Sequence, residues 1–273
     1  MNNRPIGVFD SGLGGLTAVK ELRALLPQED IIYFGDTGRV PYGNRSRETI
    51  TRYAKQAASF LLSQNVKLII AACGTVSSTV TDLTSLTNGA PVPCIGVVKP
   101  TCAAAVRATK NRKIGVIGTT TTIRSGSYQR ELSHMTDGLE VYSRDCPLFV
   151  PLVENGFSSP DDPIPCLTAQ RYLTSIRETG VDTLILGCTH YPLLHDIIAQ
   201  VMGPKVALIN SGRETALYAA QWLKENGLLQ TNGGSTAFYV SDSTEGFSQL
   251  AQIFLGMKVE GSVQRIAIES YGA

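Results

Sequence analysis

The chain reads as an α/β protein built of two similar doubly wound domains with largely parallel sheets. Three observations lead there. Apolar runs of strand length alternate with stretches of helical period along all 273 residues, the pattern of strands joined by crossover helices. The pattern restarts partway, where Ile114-Gly115-Val116-Ile117-Gly118-Thr119 echoes Ile6-Gly7-Val8-Phe9-Asp10-Ser11, as a duplicated unit would. Finally, Val66-Lys67-Leu68-Ile69-Ile70-Ala71-Ala72-Cys73 and Val181-Asp182-Thr183-Leu184-Ile185-Leu186-Gly187-Cys188 are runs of one design, each ending in a small residue and a thiol. Near-continuous apolar runs are what strands buried on both faces require.

The elements follow in order. Residues 6–9 form the first strand, and Leu16, Val19, Leu22 and Leu25 recur at helical spacing until Pro27. Residues 31–34 are the next strand. Ser46 caps a helix with Ile50, Tyr53, Ala57, Phe60 and Leu61 on its apolar face. The strand at 66–72 leads to a short helix from about Val76; residues 94–98 form a strand and Pro100 opens a helix. The second pass has strands at 114–119, near 139–142 and at 181–186, with a helix near 168–178. Ser211-Gly212-Arg213-Glu214 reads as a capping box opening a helix to about Asn226. A glycine-rich turn at 230–235 precedes a strand, a helix and a final strand around 266–268. The expected division is 1–97 plus 211–273 for the first domain and 98–210 for the second.

Composition narrows the function. Hydrophobic residues make up 43% and charged residues 17%, with a net charge of +1, so neither a disordered chain nor a nucleic-acid-binding surface is expected. Met1-Asn2-Asn3-Arg4-Pro5 lacks the apolar core of a signal peptide, and no run is long enough to span a bilayer. A cytoplasmic protein without membrane contact is expected. None of the six cysteines forms a C-x-x-C, and none joins the three histidines at zinc-finger spacing, so no metal is expected. Cys94, Cys102, Cys146 and Cys166 read as reduced thiols without chemistry.

Chemistry concentrates at strand ends, where open α/β sheets place ligands. Asp10-Ser11-Gly12-Leu13-Gly14-Gly15 has glycines for close backbone approach and a carboxylate at the strand tip. A dinucleotide fingerprint, with Asp36 as its acidic residue, fails at Thr17, which stands where the third glycine belongs. The segment from Asp36 to Gly43 is a polar loop with a Pro-Tyr-Gly turn, and Thr119-Thr120-Thr121-Thr122 offers hydroxyls, one of them a helix cap. Cys188-Thr189-His190-Tyr191-Pro192 is the most specific string, since His190 can pair with the Cys188 thiol or shuttle its proton. Both Cys73 and Cys188 precede helix N-termini, and lowered thiol pKa values are expected there.

These strings, together with Phe34-Gly35-Asp36-Thr37, Arg39-Val40-Pro41-Tyr42-Gly43 and Ala72-Cys73 with Thr75, resemble those of bacterial glutamate racemases. The resemblance runs in order along nearly the whole chain. It implies an active site between the domains and a cofactor-independent 1,1-proton transfer that interconverts L- and D-glutamate for peptidoglycan synthesis. It implies that Cys73 serves the D isomer with Asp10 behind it, and Cys188 the L isomer with His190 and Glu154 behind it. By the same resemblance Ser11, Tyr42, Gly43, Gly74, Thr75, Thr121 and Thr189 lie at substrate-binding positions, alongside Asp10 and His190, and a homodimer is implied. Some relatives need a cell-wall precursor as activator and carry an N-terminal extension; with the first strand so near residue 1, no such dependence is expected. Gly74 departs from the family's Cys-Asn-Thr, and Gly38 from its usual Ala. Without an electron sink, such chemistry relies on positioned donors in a closed site. The competing readings are an aspartate or other amino-acid racemase, a related decarboxylase using one thiol, and a non-catalytic nucleotide- or anion-binding protein.

Overall fold

The computed structural model describes residues 3–256, 259 and 263–272; Met1, Asn2, Met257, Lys258, residues 260–262 and Ala273, which the sequence reading assigned to the first domain, lie outside the described residues. Strands and helices alternate as β1 (Ile6–Asp10), α1 (Leu16–Leu25), β2 (Ile31–Gly35), α2 (Arg47–Ser63), β3 (Leu68–Ala71), α3 (Gly74–Thr79), β4 (Cys94–Gly96) and α4 (Val98–Ala108). The chain continues through β5 (Lys113–Gly118), α5 (Thr120–Ser125), α6 (Ser127–Met135), β6 (Glu140–Asp145), α7 (Phe149–Glu154), α8 (Pro163–Glu178), β7 (Thr183–Leu186), α9 (His195–Met202) and β8 (Ala207–Asn210). It returns as α10 (Ser211–Glu225), β9 (Thr236–Val240), α11 (Phe247–Leu255) and β10 (Val263–Arg265).

The strands form a six-stranded sheet, β10-β9-β2-β1-β3-β4, and a four-stranded sheet, β6-β5-β7-β8. Every pairing is parallel, so the expected α/β class with two doubly wound halves is what the chain adopts. The central strands β1, β3 and β7 are buried along their whole length. That is why their sequences are continuously apolar rather than alternating. After α10 the chain crosses back, and β9 pairs with β2 from Ile31↔Thr236 to Gly35↔Val240. The Lys67 ammonium, buried beside the Glu29 carboxylate at 2.5 Å, also donates to Leu228 O, fastening this return segment to the first sheet.

Several boundaries differ from the sequence reading, each for a local reason. The helix after Cys73 starts at Gly74 rather than Val76, with Cys73 as its N-cap. The strand at 94 ends at Gly96, and α4 begins before Pro100, which sits in its first turn where no N–H is needed. Helix α8 starts at Pro163 because Asp162 caps it, accepting from Ile164 N. Asn210, not Ser211, caps α10, taking the N–H groups of Gly212 and Arg213. The last strand is 263–265, and Ile268 instead opens a 3-10 turn. Helix α7 was not foreseen; Pro147 and Pro151 masked a segment of a single short turn-and-a-half.

Candidate active site

The carboxyl ends of β1, β3, β5 and β7 face one cleft between the sheets, a cavity of about 370 Å³. Its wall carries Cys73 from one sheet and Cys188 from the other. Both cysteines are nearly sealed from bulk water, at 4% and 6% exposure. Of the site residues expected from sequence, Ser11, Tyr42, Gly43, Gly74, Thr75, Glu154, Thr189 and His190 also line this cavity.

On the first side, β1 ends in Asp10 and the glycine-rich turn folds over the end of β2. Tyr33 Oη donates to Gly12 O at 2.7 Å, and the Gly12 N–H donates to Asp10 Oδ2 at 3.0 Å. A Cβ on Gly35 would overlap Gly12 O, so the end of β2 must be glycine for this turn to close. Asp10 is buried behind the wall rather than on it, and its Oδ1 has no hydrogen-bond partner. Burial raises its pKa, against the opposing pull of His190 and neighbouring backbone N–H groups. The Cys73 Sγ–H donates to Ser11 Oγ at 3.4 Å. The thiol was expected to be acidic, and it is the reverse: burial, with the Asp10 charge adding to it, pushes Cys73 up to about 12. The Ser11 and Val76 N–H groups oppose this but do not overcome it.

On the second side, Cys188 Sγ lies 3.9 Å from His190 Nδ1, and His190 Nε2 lies 3.0 Å from Glu154 Oε1. Burial alone would lower the His190 pKa. Its hydrogen bonds to Cys188 and Glu154 and the charges on them outweigh burial, and His190 sits at about 10, an imidazolium at neutral pH. The His190 ring also meets the edge of Phe254, at 5.1 Å between centroids and 85° between planes. Phe254 lies on α11, far along the chain, and nothing in its local sequence marks it.

The loop between β2 and α2 supplies the rim. Asp36 is fully buried and accepts from Arg39 Nε at 2.8 Å, from Ser241 Oγ at 2.7 Å and from the Tyr42 hydroxyl. With these donors it has no role left on a ribose, which removes the last support for the dinucleotide reading. The same bonds pin Tyr42 against the cleft, beyond the cis Val40–Pro41 peptide. Thr121 sits off the wall, with its hydroxyl donating to Gly43 O. Thr119 and Thr120 line the cavity in its place. Thr119 Oγ1 lies 3.2 Å from Thr75 Oγ1, a hydroxyl contact between the halves. The run of threonines pointed to this strand end, but only the helix phase of α5 shows which of them face the cleft.

Among the described residues there is no cluster of His, Cys, Asp and Glu that could hold a metal, and no helix long and apolar enough to cross a membrane. The six cysteines are free.

Known proteins resemble this chain in both sequence and shape. Residues 17–219 match the family of Asp/Glu/Hydantoin racemases. The chain is 45% identical to a glutamate racemase of Geobacter metallireducens over 98% of both chains. It superimposes on the glutamate racemase of Francisella tularensis, solved in complex with D-glutamate, with a TM-score of 0.91 and 39% identity over 99% of this chain and all (100%) of that one. The Thermus thermophilus glutamate racemase, solved with beta-chloro-D-alanine, gives a TM-score of 0.86 at 44% identity over 98% of this chain and 99% of that one. On sequence and on structure alike, this chain belongs to the Asp/Glu/Hydantoin racemase family.

Proposed function

We propose that this protein is a glutamate racemase that works without a cofactor, with Cys73 and Cys188 as its two acid/base groups. The observation that carries the reading is the pair of buried thiols at equivalent strand ends, one from each sheet, in one cleft. Racemisation requires a base on one face of the α-carbon and an acid on the other. In the D-to-L direction, the Cys73 thiolate takes the α-proton while the Cys188 thiol gives its proton to the opposite face. Cys73 ends as thiol and Cys188 as thiolate, and the L-to-D direction runs from that state. The electron pair left on the α-carbon delocalises into the substrate carboxylate, which needs donors fixed in advance. Ser11, Thr75, Thr119, Thr189 and the backbone around Gly43 and Gly74 are the donors at hand.

The His190 imidazolium places positive charge beside Cys188, and Glu154 holds the ring in position. Asp10 stands behind Cys73 as the group through which that thiol is tuned. The lobes divide as 1–97 plus 211–273 and 98–210, and the product supplies peptidoglycan synthesis in the cytoplasm, with the protein acting as a homodimer. The test is L-glutamate in deuterated water with no added cofactor. Optical rotation is expected to fall to zero while the α-position gains deuterium. Faster turnover of L-aspartate in the same assay would move the substrate assignment to that amino acid.

A further inference from the structure

Residues 187–190, which carry Cys188, meet the other half of the molecule at positions that have no room for a side chain. A Cβ on Gly74 would overlap Gly187 O and stand 3.8 Å from Cys188 Cα. A Cβ on Gly14 would overlap Thr189 Oγ1 and lie 2.6 Å from His190 Nδ1. Neither glycine has a positive φ, so backbone conformation does not demand glycine; proximity alone does. Between them, Thr17 Oγ1 lies 2.8 Å from Gly14 O and 3.0 Å from Thr189 O, its single proton shared. Phe254 closes the far side against His190. The turn is tethered to its own sheet by Gly187 N donating to Ile117 O at 2.8 Å.

We infer that Gly14 and Gly74 form a slot that seats the Gly187–His190 turn, and that this seating fixes how far Cys188 stands from Cys73. Both glycines are positioning residues. Gly74 therefore serves closure by having no side chain, because a larger residue there pushes back the backbone that carries the second thiol. The inference rests on the racemase reading for its catalytic consequence and on steric geometry alone for the seating.

The experiment compares the parent protein with Gly74→Ala, Gly14→Ala and Gly74→Asn by racemisation kinetics and by amide hydrogen exchange. Alanine is the better helix former, so helix propensity at the start of α3 predicts no loss for Gly74→Ala. Seating predicts that its kcat/KM falls roughly tenfold, because small misplacements of reacting groups are costly, and that exchange quickens across residues 187–194 while β7 is unchanged. Gly14→Ala is expected to lose more, and Gly74→Ala keeps the test decisive should Gly14→Ala fail to fold. Rates within twofold of the parent with unchanged exchange would overturn the inference. So would a lowered melting temperature with kcat per folded molecule intact, or Gly74→Asn turning over faster than the parent. If the parent does not racemise glutamate, the proposed function falls, and the exchange data still decide the seating.

Discussion

Cys73 and Cys188 end strands of the same design, yet their surroundings are opposite in charge. Cys73 faces a hydroxyl at 3.4 Å with a buried carboxylate behind it, and burial pushes it up to about 12. Cys188 faces an imidazolium whose far nitrogen rests on Glu154 at 3.0 Å. The first arm is assembled within its own sheet, from β1 and β3. The second is assembled from both halves, since Gly14, Thr17 and Phe254 all press on residues 189–190. Repetition in sequence has thus produced two thiols matched in position and unmatched in electrostatics. That contrast has a thermodynamic limit. The D and L isomers have equal free energy, so kcat/KM must be the same in both directions at every pH. The asymmetry can surface only in kcat and KM taken separately.

The largest expected effect comes from removing either thiol. Cys73→Ala and Cys188→Ala should each lower racemisation by about 10²–10⁴-fold, the usual contribution of an acid/base group, measured by polarimetry or a chiral separation. The residual chemistry sharpens the comparison: in deuterated water Cys73→Ala should exchange the α-proton of L-glutamate only, and Cys188→Ala that of D-glutamate only. Exchange of both isomers by either variant would break the assignment of one face to each thiol.

Phe254→Ala follows. Truncating a buried phenylalanine costs about 3–5 kcal/mol, read by denaturant unfolding, and here it also frees the His190 ring. A loss of kcat in the fraction still folded is expected from this α11 substitution, because Phe254 meets the His190 ring edge-on.

A smaller effect is expected from Glu154→Gln. With kcat/KM dependent on the imidazolium, the parent's activity should fall as pH rises through about 10. Losing the Glu154 charge should move that fall to lower pH, with a drop of about tenfold at most at neutrality, less than a directly acting group supplies. A pH–rate profile with an unmoved limb would show that Glu154 does not support His190. Stability carries the same sign: the folded pKa lies above the ordinary 6.5, so the His190 contribution is fully present below that value and lost as pH rises through about 10. Unfolding of the parent and His190→Gln at about pH 6 and about pH 10 should show the gap between them shrinking. Ser11→Ala removes the 3.4 Å thiol contact together with one hydroxyl of the cleft wall; a shift in the balance of kcat between directions, with both kcat/KM values still equal, is its expected signature.

Much of this was legible along the chain. The strands are apolar because both faces are covered, so β1, β3, β5 and β7 announce themselves, and a thiol at the end of β3 or β7 falls where the fold places ligands. Cys73, Cys188, Ser11, Tyr42, His190 and Glu154 could be named from local strings and their resemblance to a family. Helix phase was less legible: a threonine run locates a strand end but leaves Thr119 and Thr120 indistinguishable from Thr121 until α5 is wound. The sequence by itself determined which residues end the strands, because periodicity and turn chemistry are local properties. Only the tertiary structure decided that burial raises the Cys73 pKa, that Phe254 closes on His190, and that Gly74 touches Gly187. Desolvation, ring contacts and the room for a Cβ are sums over neighbours brought together by folding, and no stretch of chain contains them.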